Sequence, residues 1–359
     1  MFVALLIAAP VLAQPVKIAG PWKAGRLTVW AIEGPDSIHH PYLTVEQALA
    51  TGRAIIHENN SQLLWIENRS DSDLFLQSGD LIKGGQQDRM IESDMILGAH
   101  DTSQSLHVFC VERGRSTKRG SEPIETFSSS HWMAPLEHLR LVARHDLTEQ
   151  LLSPHVGGLT APDSNELQLL QSLPSDLSVG EASAAQESIW NDVEVVQSDL
   201  TRALHDSVTR NASPTSLELA LETRSLNDRE EDYERSFEAI ARDPAATGFV
   251  YAIDGQLIGA DEYGSHSLFH AMWPKLVRSI LSEAIGSHTE LSHPENAQNE
   301  ELTLDDVRQF VALGGSGKSS VQQIGDRTVV RAIKSDNGYA FETTDSATHA
   351  IVHRSVLKK

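Results

Sequence analysis

The segment Gly79–Arg89, with the sequence GDLIKGGQQDR, carries side chains suited to binding a small polar ligand. An apolar run leads into it, so its glycines stand where a strand ends. Gly84 and Gly85 can adopt positive φ angles, and their amide groups could then converge on an anion. Gln87 and Arg89 add an amide and a guanidinium, which suit a sugar diol and a phosphate. A glycine turn whose polar side chains bind their own backbone explains the pattern equally well.

The strand LHVFCVE, residues 106–112, carries a second candidate. Alternation places Cys110 and Glu112 on one face of the strand, with Glu112 at its end. A carboxyl group at the rim of a core can have a raised pKa and act as a general acid or base. The alternative is a salt-bridged strand end in which Glu112 pairs with Arg89 or Arg115. In either case Cys110 is predicted to be a small core residue.

The overall charge limits the class of partner. The chain has 359 residues, with 29 Lys and Arg against 50 Asp and Glu, which gives a net charge of −21. Such a surface repels phosphate backbones, so no nucleic-acid partner is predicted. Residues 79–119 are balanced, with six basic and six acidic side chains, and a small anionic ligand remains compatible with them. The pattern predicts no cofactor and no metal site, and the single cysteine excludes an intramolecular disulfide.

The elements that must position these residues are mainly β-strands. Short apolar runs at 27–32, 54–58, 62–68, 73–82 and 106–112 are separated by Asn, Asp, Ser or Gly, which is typical of antiparallel strands. Thr44 is predicted to cap a short helix that stops at Gly52. Asp254-Gly255 marks a hairpin, and Asn337-Gly338 marks another. The predicted fold class is α+β, with mainly antiparallel β-layers first and helices plus hairpins afterwards.

The composition divides the chain into four parts. Residues 1–13 contain a twelve-residue apolar run, which is too short for a membrane span and typical of a signal peptide. The run predicts a periplasmic or extracellular protein with no stable membrane span after cleavage. Residues 20–150 form the β-rich region that bears the motifs. Residues 151–185 are rich in Ser, Pro, Gly and Ala and are interpreted as a loop or linker. Residues 186–359 are predicted to form helices and hairpins that pack on the first region, with one helix capped at Asn227.

The motifs carry a family resemblance. TVEQAL (44–49), WIENRSD (65–71), GDLIKGGQQDR (79–89) and CVERGR (110–115) occur in that order. In this the chain resembles the family called the ARG-and-rhodanese-phosphatase-superfamily-associated protein domain. It departs from the family pattern at Ser116, where an aromatic residue is expected. The resemblance implies a link with proteins that handle NAD or ADP-ribose, through genomic association. The motif residues carried over by position are Gly79, Asp80, Gly84, Gly85, Gln87, Arg89, Cys110, Glu112 and Arg115.

Two hypotheses follow from the motifs and the resemblance together. The first is a pocket for a phosphorylated sugar or ADP-ribose-like ligand, with hydrolysis as its reaction if it is an enzyme. Glu112 would then move a proton, and the ligand-binding residues would be Asp80, Gly84, Gly85, Gln87, Arg89 and Arg115. The second is a non-enzymatic envelope protein in which the Gly-Gly-Gln-Gln-Asp-Arg and Cys-Val-Glu motifs are structural. The first requires these side chains to converge on one cleft.

Overall fold

The computed structural model describes residues 17–58, 64–120, 122, 124–135, 139, 176–287, 301–315 and 317–359. The predicted signal peptide and most of the predicted loop or linker lie outside the described residues. Antiparallel sheets and seven helices make up the described part of the chain, which confirms the α+β fold class.

The largest element is an eight-stranded antiparallel sheet. Its spatial order is β1-β2-β13-β14-β18-β17-β16-β15, so the first two strands pair directly with strands from the C-terminal half. The sheet therefore crosses the predicted boundary between the two main regions. Its strands are β1 (Lys17–Ala24), β2 (Leu27–Glu33), β13 (Ala246–Ile253), β14 (Gln256–Tyr263), β15 (Lys318–Ile324), β16 (Thr328–Lys334), β17 (Gly338–Asp345) and β18 (Ile351–Lys358).

Three smaller sheets contain the motifs. Their orders are β3-β6-β9, β10-β5-β4 and β11-β8-β7-β12, and β3 with β6 is a parallel pair. The strands are β3 (Tyr42–Thr44), β4 (Ala54–Glu58), β5 (Leu64–Asn68), β6 (Asp73–Leu76), β7 (Asp80–Gly84), β8 (Arg89–Ile91), β9 (Met95–Leu97), β10 (Gln104–Leu106), β11 (Val108–Cys110) and β12 (Phe127–Met133).

The helices cover the sheets and close the cores. Helix α6 packs on both β12 and β13 and so joins the large sheet to the motif-bearing sheet. The helices are α1 (Val45–Ala50), α2 (Asp176–Leu204), α3 (Leu217–Leu221), α4 (Arg224–Ser236), α5 (Glu238–Arg242), α6 (His266–Gly286) and α7 (Leu304–Val311).

Local signals in the sequence are confirmed. Thr44 closes a capping box with Gln47 at the start of α1, and Gly52 follows the helix with φ +66°. Asp254 and Gly255 have φ angles of +50° and +77°, as a two-residue hairpin turn requires. These signals depend only on neighbouring residues, which explains why they could be recognised without the tertiary structure.

Several predicted boundaries are wrong. The run 73–82 is two strands, because the chain turns between β6 and β7. The helix α2 begins at Asp176, so the last ten residues of the predicted loop or linker are helical. The helix predicted to be capped at Asn227 begins four residues earlier, with Thr223 at the N-cap position. Leu226 lies in the added first turn and is fully buried, so its hydrophobic contacts favour a helix that starts before Asn227.

The segment 106–112 differs from the predicted single strand. Leu106 ends β10, β11 covers only Val108–Cys110, and core residues lie on both faces of the segment. Leu106 and Val108 pack into the core cluster around β4 and β5, whereas Phe109 and Val111 pack against α2 and α3. Cys110 is partly exposed and lies outside both clusters, so it does not have the predicted core position.

Candidate functional site

The Gly84-Gly85 turn needs both glycines. Their φ angles are +130° and +56°, and a Cβ atom on Gly84 would lie 2.5 Å from the Thr126 carbonyl oxygen. A Cβ atom on Gly85 would lie 2.3 Å from the ring of Phe127. The close approach of β12 therefore dictates the Gly-Gly pair.

Amide groups of this turn bind carboxylates of the protein itself. The Gly84 amide donates to Asp88 Oδ1 at 3.2 Å, and the Gln86 amide donates to Glu58 Oε2 at 2.8 Å. The turn is thus an anion-binding arrangement of the predicted kind, and internal side chains fill it. The carbonyl groups of Gly84 and Gly85 accept hydrogen bonds from Arg115, at 3.2 Å and 3.0 Å.

The two sequence motifs meet in a buried ionic cluster, here called the Asp88 network, formed by Asp88, Glu112, Arg115, Arg119 and Ser216. Arg119 Nη1 donates to Asp88 Oδ2 at 2.7 Å and to Glu112 Oε1 at 3.1 Å. Arg115 Nε lies 2.6 Å from Glu112 Oε2. The Ser216 hydroxyl donates to Asp88 Oδ2 at 3.0 Å, which ties the N-terminal cap of α3 to the motifs.

The two carboxylates of the Asp88 network differ in pKa. Burial raises the pKa of Asp88, and the nearby charge of Glu112 raises it further. Burial alone would also raise the pKa of Glu112, but hydrogen bonds from Ser213, the Asp88 amide and Arg115 outweigh it and lower that pKa. The expectation of a raised pKa for Glu112 is therefore wrong. Glu112 is held as a fixed anion, which suits charge neutralisation better than proton transfer.

A second group, here called the Cys110 network, contains Glu58, Gln87, Arg89 and Cys110. Arg89 donates to Glu58 Oε1 at 2.7 Å, to Gln87 Oε1 at 2.8 Å and to Cys110 Sγ at 2.9 Å. The guanidinium of Arg89 is buried, and burial raises the pKa of the Cys110 thiol. Arg89 is therefore paired with Glu58, and the ion pair between Arg89 and Glu112 suggested by the second hypothesis is not formed.

Asp80 belongs to a third group, the Lys275 network. Lys275 is buried on α6 and donates to Asp80 Oδ1 and to the Ser129 hydroxyl, both at 2.8 Å. The predicted site residues are thus divided among three groups. Gly84, Gly85, Glu112 and Arg115 meet around the Asp88 network, Gln87 and Arg89 lie in the Cys110 network, and Asp80 lies in the Lys275 network.

The sequence analysis did not identify Glu218, on α3. Its side chain is 1% exposed, and neither carboxyl oxygen has a hydrogen-bond partner within the part of the chain that the structure describes. Burial raises its pKa to about 8. The available signal was weak: an acidic residue between Leu217 and Leu219 in the otherwise apolar run LELAL.

Another ionic centre lies in the large sheet, here called the His353 centre: His353, Asp94 and Asp261. The imidazole Nδ1 lies 2.6 Å from Asp94 Oδ2, and Nε2 lies 3.0 Å from Asp261 Oδ1. Burial lowers the pKa of His353, but the charges and hydrogen bonds of both carboxylates outweigh it, so the pKa is raised. Tyr263 stacks on the ring at 4.7 Å between centroids.

His40, Asp73 and Asp345 also place ligand-type atoms within 4.8 Å of one another. Arg327 donates to Asp73 Oδ1 at 2.9 Å and to Asp345 Oδ1 at 3.2 Å, and Tyr42 donates to Asp345 Oδ2 at 2.8 Å. The guanidinium therefore supplies the positive charge that this carboxylate pair needs, and it uses the lone pairs that a metal ion would require.

The fold and the site define an α+β protein in which a glycine turn and a Cys-Val-Glu segment meet in a buried ionic network. The family model of the ARG and Rhodanese-Phosphatase-superfamily-associated Protein domain, ARPP-1, matches residues 15–357, and the chain belongs to this family. The match extends well beyond the segment 25–115 that carries the resemblance in the sequence. No curated protein and no solved structure matches the chain. Among the helices described, none is long and apolar enough to cross a membrane.

Proposed function

We propose that the protein binds a phosphorylated sugar or ADP-ribose-like compound beside the Asp88 network and hydrolyses it. Partial convergence of the two sequence motifs supports this proposal, although Asp80, Gln87 and Arg89 lie in other groups and the single cleft that the hypothesis required is not formed. Gly84 and Gly85 are separated from Glu112 and Arg115 by more than 25 residues, yet they meet around one carboxylate, Asp88. Such convergence of charged groups with a perturbed pKa is more frequent at functional sites than elsewhere.

Lys83 is the cation through which an anionic ligand would enter. It lies on β7 next to Gly84, its side chain is 20% exposed, and it donates to Glu222 at 2.6 Å and 2.7 Å. A partly exposed ion pair of this type contributes little to stability, so a phosphate group can displace Glu222 at low cost. Arg115 and Arg119 behind it would stabilise negative charge that develops during hydrolysis.

A thermal-unfolding assay with added ADP-ribose or ribose 5-phosphate tests the binding. A ligand at 100 times its dissociation constant stabilises the folded protein by about 2.7 kcal/mol. We expect Lys83→Gln to reduce this stabilisation, whereas Lys318→Gln, an exposed lysine on β15, should leave it unchanged. If neither compound raises the unfolding temperature of the wild-type protein, the proposed ligand class is wrong.

We also propose export, so that this activity would take place in the periplasm or outside the cell. The support is the twelve-residue apolar run before Gln14. A reporter fused after residue 20 should appear in the exported fraction. Deleting the run from the same fusion is the matched control, and a reporter that stays in the cytoplasm with the run intact would contradict export.

A second candidate function is a non-enzymatic envelope protein in which the motifs stabilise the fold. The observation that favours it is that donor groups of the motifs already bind carboxylates of the protein itself. These donors are the amides of Gly84 and Gln86 and the guanidinium groups of Arg89 and Arg119. Removing one partner of such a buried pair costs about 3–5 kcal/mol. If Arg89→Ala and Glu112→Gln both unfold the protein and no ligand binds the wild-type protein, this candidate replaces the first.

A further inference from the structure

Glu218 differs from Asp88 and Glu112, because no arginine or lysine of the described residues forms an ion pair with it and neither of its carboxyl oxygens lies in good hydrogen-bond geometry with a donor. It lies two residues after Ser216, whose hydroxyl binds Asp88. It is as deeply buried as Asp88 and Glu112. An unpartnered polar group in such a position costs stability, so a purely structural role does not account for it.

The groups that face Glu218 come from three elements and one loop. Asp88 in the motif loop and Glu222, the residue that follows α3, are negative and oppose its ionisation. Lys83 on β7 and the Ser130 hydroxyl on β12 act in the opposite direction. The Ser130 hydroxyl accepts a hydrogen bond from the Trp132 amide and keeps its own proton to donate toward Glu218. Burial is the largest contribution, and the neutral acid is the favoured form at neutral pH.

We propose that Glu218, and not Glu112, is the proton donor of the site beside the Asp88 network. This inference rests on the proposed hydrolytic function and specifies its acid. Glu112 is unsuited to the role because Arg115 and Arg119 bind both of its oxygens as an anion. Glu218 has two properties of a general acid in neutral solution: burial favours its protonated form, and no guanidinium or ammonium group of the described residues holds it as an anion in an ion pair.

In this proposal the substrate reaches Glu218 past the ion pair between Lys83 and Glu222. Glu222 is the residue that follows α3, four positions after Glu218, and both members of the pair are partly exposed. An anionic substrate that binds Lys83 would release Glu222 and open the path to the buried carboxyl group. The substrate therefore supplies the energy for opening, and the acid stays protected from water until the substrate is present.

The hydrolytic step is balanced in atoms and electrons. The bond between the leaving oxygen and its carbon or phosphorus atom breaks, and the leaving oxygen keeps the electron pair and takes the proton of Glu218. The oxygen of a water molecule forms the new bond to the carbon or phosphorus atom. One proton of that water is released to solvent, and Glu218 recovers a proton from solvent. The sum is addition of one water molecule across the broken bond.

Infrared difference spectroscopy on the full-length protein tests the protonation of Glu218 without any ligand. Between about pH 6 and about pH 10, ionisation of a carboxylic acid with a raised pKa removes its C=O stretching band. We expect this loss in the wild-type protein and in the control Glu222→Gln, and we expect it to be absent in Glu218→Gln. A band loss that persists in Glu218→Gln, or no loss in the wild-type protein, overturns the assignment.

Hydrolysis of ADP-ribose tests the role in the reaction. Glu218→Gln, which mimics the neutral acid and should fold, is expected to lower kcat about a hundredfold with little change in KM. It should also remove the alkaline decline of the pH–rate profile. Full activity of Glu218→Gln with wild-type hydrolysis intact overturns the role of Glu218 alone. Absence of ADP-ribose hydrolysis by the wild-type protein overturns the proposed function, and the role of Glu218 as its acid with it.

Discussion

The Asp88 network and the His353 centre are both buried ionic clusters, but they differ in how completely they are paired. In the His353 centre, both ring nitrogens face carboxylates, and Asp94 also accepts hydrogen bonds from the Thr343 hydroxyl and the Ser78 amide. Beside the Asp88 network, Glu218 is buried without an ion pair to any residue that the structure describes, and the Ser130 hydroxyl is its nearby hydrogen-bonding group. In the His353 centre the charged groups are paired with one another. Beside the Asp88 network, Glu218 can gain or lose a proton without breaking an ion pair.

This difference distinguishes a stabilising cluster from a candidate reactive one. His353 joins β18 to β14 and to the loop before β9, and the aromatic rings of Tyr263 and Phe75 exclude water from it. Lys83, which precedes Gly84 of the glycine turn, is partly exposed. A reaction needs both a perturbed group and a path from solvent, and the proposed function places that path at Lys83.

The largest effect is expected for His353→Ala. Removing the imidazolium leaves Asp94 and Asp261 buried with no compensating charge from this position, which should lower the free energy of unfolding by about 3–5 kcal/mol. Urea unfolding followed by circular dichroism measures the loss. His107→Ala, at an exposed position, is the matched control and should change the stability little. Equal stability of the two variants would show that the His353 centre does not stabilise the fold.

An intermediate effect is expected for the dependence of stability on pH. The pKa of His353 is raised in the folded state, so its contribution is fully present below the unfolded value of 6.5 and is lost as the pH rises through the folded value. The pKa of Glu218 is also raised, from 4.5 to about 8, so folding becomes less favourable as the pH rises between these values. Both groups therefore predict a stability that declines toward alkaline pH.

Glu218→Gln separates the two contributions to this decline. The variant cannot ionise at position 218, so its stability should match that of the wild-type protein near pH 4 and exceed it by about 1–3 kcal/mol near pH 9. Urea midpoints across this range provide the measurement. A parallel decline in both proteins would assign the entire alkaline loss to other groups, with His353 the first candidate.

The smallest effect is expected for an exposed ion pair. Arg242 and Glu238 form an i,i+4 pair on α5 and are 75% and 52% exposed. Arg242→Gln should change the free energy of unfolding by less than about 0.5 kcal/mol. This variant provides the baseline for the comparison, and a loss as large as that of His353→Ala would remove the distinction between buried and exposed pairs.

The sequence was sufficient for features that depend on neighbouring residues. The Thr44 cap, the Asp254-Gly255 hairpin and the Gly84-Gly85 turn are each encoded within a few positions, and all three occur in the structure. The importance of the segment around Glu112 could also be recognised, since an arginine-rich stretch next to a strand-end carboxylate is locally visible. Its partner Arg119 could not be assigned, because pairing depends on how the loop after β11 folds back.

Features that depend on distant strands could not be recognised. The His353 centre takes its three side chains from positions 94, 261 and 353, and no spacing rule connects them. Glu218 acquires its raised pKa only when α3 packs against β12 and the motif loop. The pairing of β2 with β13, more than 200 residues later, could not be recognised for the same reason.

The pairing of β2 with β13 also affects the order in which the chain can fold. Leu27 is opposite Ile253 in this pair, so the hairpin of β1 and β2 has an open edge until residue 253 has been synthesised. At about 5–20 residues per second, the ribosome needs roughly ten to forty seconds to make the intervening residues. During that time the apolar side chains of β2 lack their partner strand and are exposed to aggregation. The N-terminal hairpin of such a nascent chain is therefore more exposed to aggregation than a hairpin whose partner strand follows directly in the sequence.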